Sequence, residues 1–148
     1  MTEGEHWILR TFRSADQESL VALWDACNLI VPQNDPRKDM RRKMDADPDL
    51  FLIAESNGDL VGSCMAGYDG HRGWINYLAV LPDYQGLGIA RDLMEEAEKR
   101  LRARGCPKIN LMVRSTNQEV IAFYEQIGFR RDEVTCLGKR LENDEVEP

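Results

Sequence analysis

Residues 74–105 read W-I-N-Y-L-A-V-L-P-D-Y-Q-G-L-G-I-A-R-D-L-M-E-E-A-E-K-R-L-R-A-R-G. The first eight, Trp74 to Leu81, are an almost unbroken apolar and aromatic run, which predicts a strand buried on both faces. Pro82 has no N–H for a ladder, so pairing stops there. From Ile89 the apolar residues recur at 89/90, 93/94, 97 and 101, a helical stripe that ends at Gly105. Gly86 and Gly88, between strand and helix, permit a tight turn and a close approach to its backbone. A strand that feeds such a turn and then a helix N-terminus leaves several backbone N–H groups unpaired and pointing one way. That is an anion site, and most naturally a phosphate site.

Two phosphate-binding loops fail on these letters. A Walker loop needs Lys and Ser/Thr directly after its last glycine, and Gly88 is followed by Ile89 and Ala90. A dinucleotide fingerprint needs G-x-G-x-x-G early in a βαβ unit, and only G-x-G is present, far from the N-terminus. The pattern that fits is (Q/R)-x-x-G-x-(G/A), carried by Gln85, Gly86, Leu87, Gly88, Ile89 and Ala90 after a strand ending L-A-V-L-P. In this stretch the chain resembles the GNAT superfamily of acetyl-CoA-dependent N-acetyltransferases, in which the cofactor pyrophosphate sits on this turn.

The chain has 148 residues. That predicts a single domain over 1–148, large enough to bury roughly 70% of the surface of its unfolded chain. Cysteines 27, 64, 106 and 136 form no C-x-x-C pair, which argues against a zinc site and for a reducing compartment. No run approaches the length of a membrane span and the first residues, M-T-E-G-E-H, are not those of a signal peptide, so a soluble cytoplasmic protein is expected. A net charge of −7 argues against nucleic acid and anionic membrane as partners. It leaves room for an anionic cofactor held by backbone N–H groups.

Outward from the central stretch, residues 7–13 predict a first strand. Ser14 and Gln17 form a capping box for a helix whose apolar face is Leu20, Leu23, Trp24 and Cys27. Pro32 and Pro36 break the chain, and a polar helix over about 37–45 follows, with Met40 and Met44 one turn apart as core residues. The connector N-L-I-V-P-Q-N-D-P is unusually apolar for a loop. Residues 50–56 and 60–68 are strands joined at Asn57-Gly58-Asp59, a hairpin signal. After Gly105, K-I-N-L-M-V predicts another buried strand, and Thr116 with Glu119 caps a helix carrying Val120, Ile121, Phe123, Tyr124 and Ile127, ended by Gly128. Residues 133–141 are expected as a last short strand, and the acidic tail from 142 is expected to fray.

The element order is therefore β-α-α-β-β-β-α-β-α-β, an α/β (α+β) mixed sheet with helices on both faces. The resemblance covers nearly the whole chain and implies a mostly antiparallel sheet. The segment N-Q-E-V-I-A-F-Y-E-Q-I-G-F is similar to the family's closing N-x-x-A-x-x-x-Y-x-x-x-G-F pattern, with Ala122 later than the usual small residue. Q-N-D-P, G-Y-D-G-H-R-G and G-C-P-K-I look like the small stand-alone bacterial YpeA-type members. In the fold so implied, the strand before the turn and the strand after the helix splay, and the pantetheine arm of acetyl-CoA enters the gap. The loop before Pro36 then lines the acceptor side.

Acetyl transfer from a thioester to an amine needs a neutral amine, a stabilised oxyanion and a proton for the leaving thiolate. The resemblance points to a backbone N–H in a bulge at Leu78, Ala79 or Val80 for the oxyanion. It points to Tyr124 as the acid, a residue that helical periodicity alone would equally place in the core. Cofactor contacts are implied for Gln85, Gly86, Leu87, Gly88, Ile89, Ala90 and Arg91, and for Asn117, which also reads as a helix cap. Arg114 is a further candidate against phosphate. Where many members carry a Glu two residues before L-A-V, this chain has Asn76. Asp69, His71, Tyr77 and water remain as bases. The implied partner is an amine acceptor, on a small molecule or a protein, with no metal and a monomeric or homodimeric state; the alternative is a non-catalytic acyl-CoA sensor or structural domain. The acidic balance favours cationic acceptors through long-range steering. Acetylation rates with such acceptors are expected to fall as ionic strength rises and the Debye length shrinks from about 30 Å towards 8 Å; a salt series of initial rates checks this.

Overall fold

The structure, a computed structural model, describes residues 6–145. Its elements are β1 (Ile8–Thr11), α1 (Gln17–Ala26), α2 (Pro36–Ala46), β2 (Phe51–Ser56), β3 (Asp59–Tyr68), β4 (Gly73–Val80), α3 (Ile89–Ala103), β5 (Ile109–Leu111) and α4 (Gln118–Gln126). The five strands form one sheet in the order β1-β2-β3-β4-β5. The first four pair antiparallel, and β5 joins β4 in parallel after the α3 crossover. This is the mixed, mostly antiparallel sheet that the sequence predicts.

Alternation along the strands divides the core between two faces. Leu52 and Ala54 of β2 turn towards α3 and α4 with Leu93, Met94, Ala97, Leu101 and Tyr124. Phe51 and Ile53 turn the other way, towards α1 and α2, with Leu20, Leu23, Trp24 and Met40. The helices thus cover both faces, and β2 and β3 are buried on both sides. The expectation that β4 is buried throughout is corrected: Trp74 is 37% exposed, and Asn76 is exposed where it lines a cleft. Close packing of α3 onto β3 depends on Gly62. A Cβ there would stand 3.1 Å from Ile89 Cγ2 and 3.2 Å from Leu93 Cδ1.

Caps differ in detail from the sequence reading. The α1 entry uses Asp16, whose carboxylate accepts the Arg13 N–H at 2.8 Å and pairs with Arg10. Asn117 rather than Thr116 caps α4, accepting from the Val120 N–H. The last predicted strand is absent from the sheet. Its apolar residues Val134, Leu137 and Leu141 are 78–93% exposed and spaced three and four apart, so an extended segment would have no single face to bury. Just before it, Asp132 accepts from Lys108 and Asn110 at the start of β5, and within it Cys136 Sγ meets Met112 Sδ. The tail, expected to fray, is pinned by Asp144, which is buried and receives two hydrogen bonds from Arg42 at 2.7 and 2.9 Å. Residues 146–148 lie outside the described part.

One buried chain of hydrogen bonds ties α1 to the middle of the sheet. Trp24 Nε1 donates to Ser63 Oγ at 3.0 Å, and Ser63 Oγ donates to the Tyr77 carbonyl at 2.8 Å. Ser63→Ala strands a buried indole N–H and a carbonyl. A loss of about 2 kcal/mol is expected, which for a chain of this length is roughly 4–8 °C in Tm; thermal unfolding followed by circular dichroism measures it.

Candidate active site

The site is assembled where β4 breaks its pairing with both neighbours. On the β3 side the register runs Ser63 with Ala79 and Met65 with Asn76, so Tyr77 and Leu78 together oppose Cys64. This is a bulge, one residue ahead of the expected Leu78–Val80; Ala79 and Val80 are back in register. Tyr77 takes φ +51°, a left-handed conformation that a bulky residue holds only when its surroundings over-determine it. They do so here. Its ring stacks on Trp24 with centroids 3.7 Å apart, its carbonyl is bonded by Ser63, and its hydroxyl donates to Asp39 at 2.7 Å.

On the other side, β4 pairs with β5 only from Gly73 to Ile75. Beyond that point β4 continues to Val80 alone, and the two strands part. Tyr124 of α4 packs in the same apolar cluster as Leu78 and Leu111 beside this split, edge-on to Phe123 and Phe129. Burial, and then the neighbouring Cys64, push its phenol well above the usual tyrosine range. The proton is therefore retained at working pH. Cys64 itself is pushed up to about 12 by complete burial, so its thiol is not a nucleophile.

At the exit of β4, Gln85 Nε2 bonds the Val80 carbonyl at 3.0 Å and closes the turn. Gly86 and Gly88 take φ +80° and +104°, and a Cβ at either would meet nothing within 4 Å. Their role is conformation and access, since no neighbour crowds them. Gly88 is the N-cap of α3 and has no side chain to cap it; the first intrahelical bond is Asp92 N–H to the Gly88 carbonyl. The N–H groups of Ile89, Ala90 and Arg91 precede that bond and have no acceptor within the helix. Gln85, Gly86, Leu87, Gly88 and Arg91 are exposed, while Ile89 is buried and roots the helix in the core.

Other predicted residues stand apart. Asn117 and Arg114 are exposed, Asn117 being occupied by its cap. Asp69 closes the β3–β4 turn, accepting from the N–H groups of His71 and Arg72 and from Trp74 Nε1, and those bonds hold it at about 2. It and His71 lie in the turn before Gly73, ahead of β4 and away from the bulge. Of the three side chains considered as bases, Tyr77 alone reaches the cleft, and burial followed by the Asp39 bond raises its pKa. A groove of about 930 Å³ beside β5 and α4 is lined by Leu111, Tyr124, Val134 and Cys136 but by no residue of the Gly86–Gly88 turn. It is the trough that the missing strand leaves along β5. Asp39, in the first turn of α2, was invisible to the sequence as a site residue. An acid there reads only as a partner of the helix dipole.

The Acetyltransferase (GNAT) family model matches residues 9–129. The chain belongs to the GNAT acetyltransferase family. An acetyltransferase of Sodalis glossinidius is 54% identical over 138 residues, covering 93% of this chain and 97% of that protein. One from Pectobacterium atrosepticum is 53% identical over 136 residues, covering 92% and 96%. Among solved structures, the aminoglycoside N-acetyltransferase AAC(6')-Iy in complex with CoA superposes with a TM-score of 0.74 at 17% identity, over 92% of this chain and 95% of that one. An Ard1 protein from Thermoplasma volcanium gives 0.71 at 20% identity, over 84% and 82%. These show the GNAT fold. Among the described residues no cluster of His, Cys, Asp or Glu is arranged to hold a metal, and no helix is long and apolar enough to cross a membrane.

The bonds to Asp69 predict a pH signature. Its folded pKa lies below the unfolded value of about 3.9, so its contribution to stability is complete above that value and is lost as pH falls towards about 2. Asp69→Asn is expected to flatten the dependence of Tm on pH between about 4 and 2, measured by acid titration of thermal unfolding.

Proposed function

We propose that this GNAT protein is an acetyl-CoA-dependent N-acetyltransferase that acts by direct attack of an amine on the thioester. The observation that carries the proposal is the uncapped N-terminus of α3, presented through two positive-φ glycines at the end of a strand that has parted from β5. Three N–H groups and the helix dipole favour a pyrophosphate there, with backbone contacts at Gly86, Gly88, Ile89 and Ala90. Gln85, Leu87 and Arg91 flank the phosphates. The pantetheine arm enters between β4 and β5, where its amides meet the backbone of Leu78, Ala79 and Val80. Asn117, which caps α4, would offer its remaining polar atoms to the pantetheine or to the pyrophosphate side. The neighbour AAC(6')-Iy has also been solved with a bisubstrate analogue of CoA and acetylneamine, which suits attack without an acyl-enzyme.

In the reaction, the amine nitrogen attacks the thioester carbon and the carbonyl oxygen becomes an oxyanion, received by the Leu78 N–H at the bulge. The C–S bond breaks as the oxyanion collapses, and the thiolate takes the Tyr124 hydroxyl proton. The amine proton leaves through water at Asn76. That position lacks a carboxylate, so an amine already partly neutral is favoured: a group of pKa near 8 needs about 1.4 kcal/mol to deprotonate at pH 7, against about 4.6 for a lysine.

Two substitutions test the assignment. Gly88→Val forces a branched side chain into φ +104° in front of the free N–H groups, and CoA affinity in calorimetry is expected to fall about tenfold or more. Tyr124→Phe keeps the ring in its apolar cluster and is expected to keep CoA affinity, while kcat falls about a hundredfold or more. Undiminished kcat would leave Tyr124 as a packing residue.

A further inference from the structure

The bulge has a second consequence, on the face away from the cofactor turn. Because two residues of β4 oppose one of β3, Asn76 and Tyr77 lie on the same side of the sheet, over Met65. They form one wall of a cavity of about 400 Å³ whose other walls are Leu29, Asn34 and Asp39. Asp39 crosses from α2 to meet the tip of Tyr77, with Oδ2 accepting from Tyr77 Oη at 2.7 Å and Oδ1 accepting from Arg42 Nη1 at 3.0 Å. Its side chain is 24% exposed. A carboxylate offers about four acceptor sites, so two remain for a ligand in the cavity.

Arg42 does not neutralise this carboxylate on its own. The same guanidinium makes its bidentate pair with Asp144 and lies 3.5 Å from Glu142. Arg140 stands 3.9 Å from Asp144 and spends two hydrogen bonds on the Asn34 side-chain oxygen, which leaves the Asn34 amide N–H groups to the cavity. Asp144 and Glu142 thus engage Arg42 and Arg140, with Lys38 also acting on Asp144, and Asp39 holds only one guanidinium nitrogen beside a concave, partly desolvated wall. The geometry is as telling as the sign. Asp39 is separated from the bulge by the length of one tyrosine side chain. An ammonium seated on Asp39 is therefore too far from the bulge to be the nitrogen that attacks there.

We propose that this cavity is the acceptor subsite and that Asp39 is its specificity residue, selecting small amines that carry a second positive charge. One ammonium pairs with Asp39 while a second amine, a short aliphatic or sugar-like spacer away, reaches Asn76 and the bulge. This rests on the acetyltransferase reading above, and adds the class of acceptor. Charge pairing at a rim-exposed carboxylate acts on the distal nitrogen, which does not change during the reaction, so it contributes to acceptor binding and not to the chemical step. A proximal amine beside a second cation also has a lowered pKa, which lightens the demand on a site without a carboxylate base.

The test compares matched acceptors, 1,4-diaminobutane against 1-aminobutane and 1,5-diaminopentane against 1-aminopentane, in the wild type and in Asp39→Asn. The Asn side chain still accepts the Tyr77 hydroxyl, so the wall of the cavity is kept, and CoA affinity reports that the cleft is folded. In the wild type kcat/KM is expected to favour the diamine by about tenfold or more. In Asp39→Asn most of that ratio disappears, through a rise in KM for the diamine. Equal rates for the matched pair in the wild type overturn the proposal, as does an undiminished preference in the variant. If CoA binds but no amine is acetylated, the acetyltransferase reading fails. The cavity is then decided by calorimetry with CoA present: 1,4-diaminobutane binding that Asp39→Asn weakens about tenfold supports Asp39 as a cation site, and binding that is absent or unchanged overturns it.

Discussion

The left-handed Tyr77 in the middle of β4 is the constraint on which the site depends. A residue with a large side chain at φ +51° is strained by about 1–3 kcal/mol, and it persists because three separate contacts fix it. The indole of Trp24 covers its ring, Ser63 bonds its carbonyl, and Asp39 takes its hydroxyl. Those partners come from α1, β3 and α2, so packing on the helix face of the sheet is converted into backbone geometry at the centre of β4. The resulting bulge sets Tyr77 and Leu78 together against Cys64 and throws Asn76 and Tyr77 onto one face.

The parting of β4 from β5 is a second consequence of local sequence. Only three residue pairs join the strands, and they sit at the turn-proximal end of β4. Gly73 is tightly packed there: a Cβ would come within 2.9 Å of Cys106 Sγ and 3.2 Å of Leu101 Cδ1, so the α3 end and the turn into β5 close over this end of β4. Further along, the apolar side chains Leu78, Val80 and Leu111 pack against α3 and α4, and no ladder spans the gap. A strand that pairs over half its length and packs over the other half makes a slot without any special residue to open it.

The architecture was legible because its signals are local. The 89–101 stripe, the Asn57-Gly58 hairpin and the glycine pair Gly86 and Gly88 each require one structure, and the strand, turn and helix order of 74–103 followed from them. The failures share a different cause. Trp74 to Leu81 looks buried on both faces when only composition is counted, but Asn76 breaks the run at the place where the cleft opens. Residues 133–141 are rich enough in apolar side chains to suggest a strand, but their spacing supplies no face. The Asp144–Arg42 lock and the Asp39–Tyr77 bond join residues 102 and 38 apart, and nothing in the neighbourhood of either partner announces the other.

The distribution of charge is compatible with the proposed function, in which an acidic protein holds an anionic cofactor. A net charge of −7 repels phosphates at long range, so their binding must come from groups that do not appear in that sum. Backbone N–H groups at the end of α3 are such groups; they carry partial positive charge at fixed positions and need no lysine. The carboxylates gathered around Arg42 then stand on the other side of the sheet's bulge, at the second cavity. Between the two lies apolar packing, with Leu78 and Tyr124 in one cluster and Trp24 and Met65 in the other. Under the proposed function the anionic cofactor is received at the α3 end and the cationic acceptor at the second cavity, so the bulged strand between them is where the two substrates would meet.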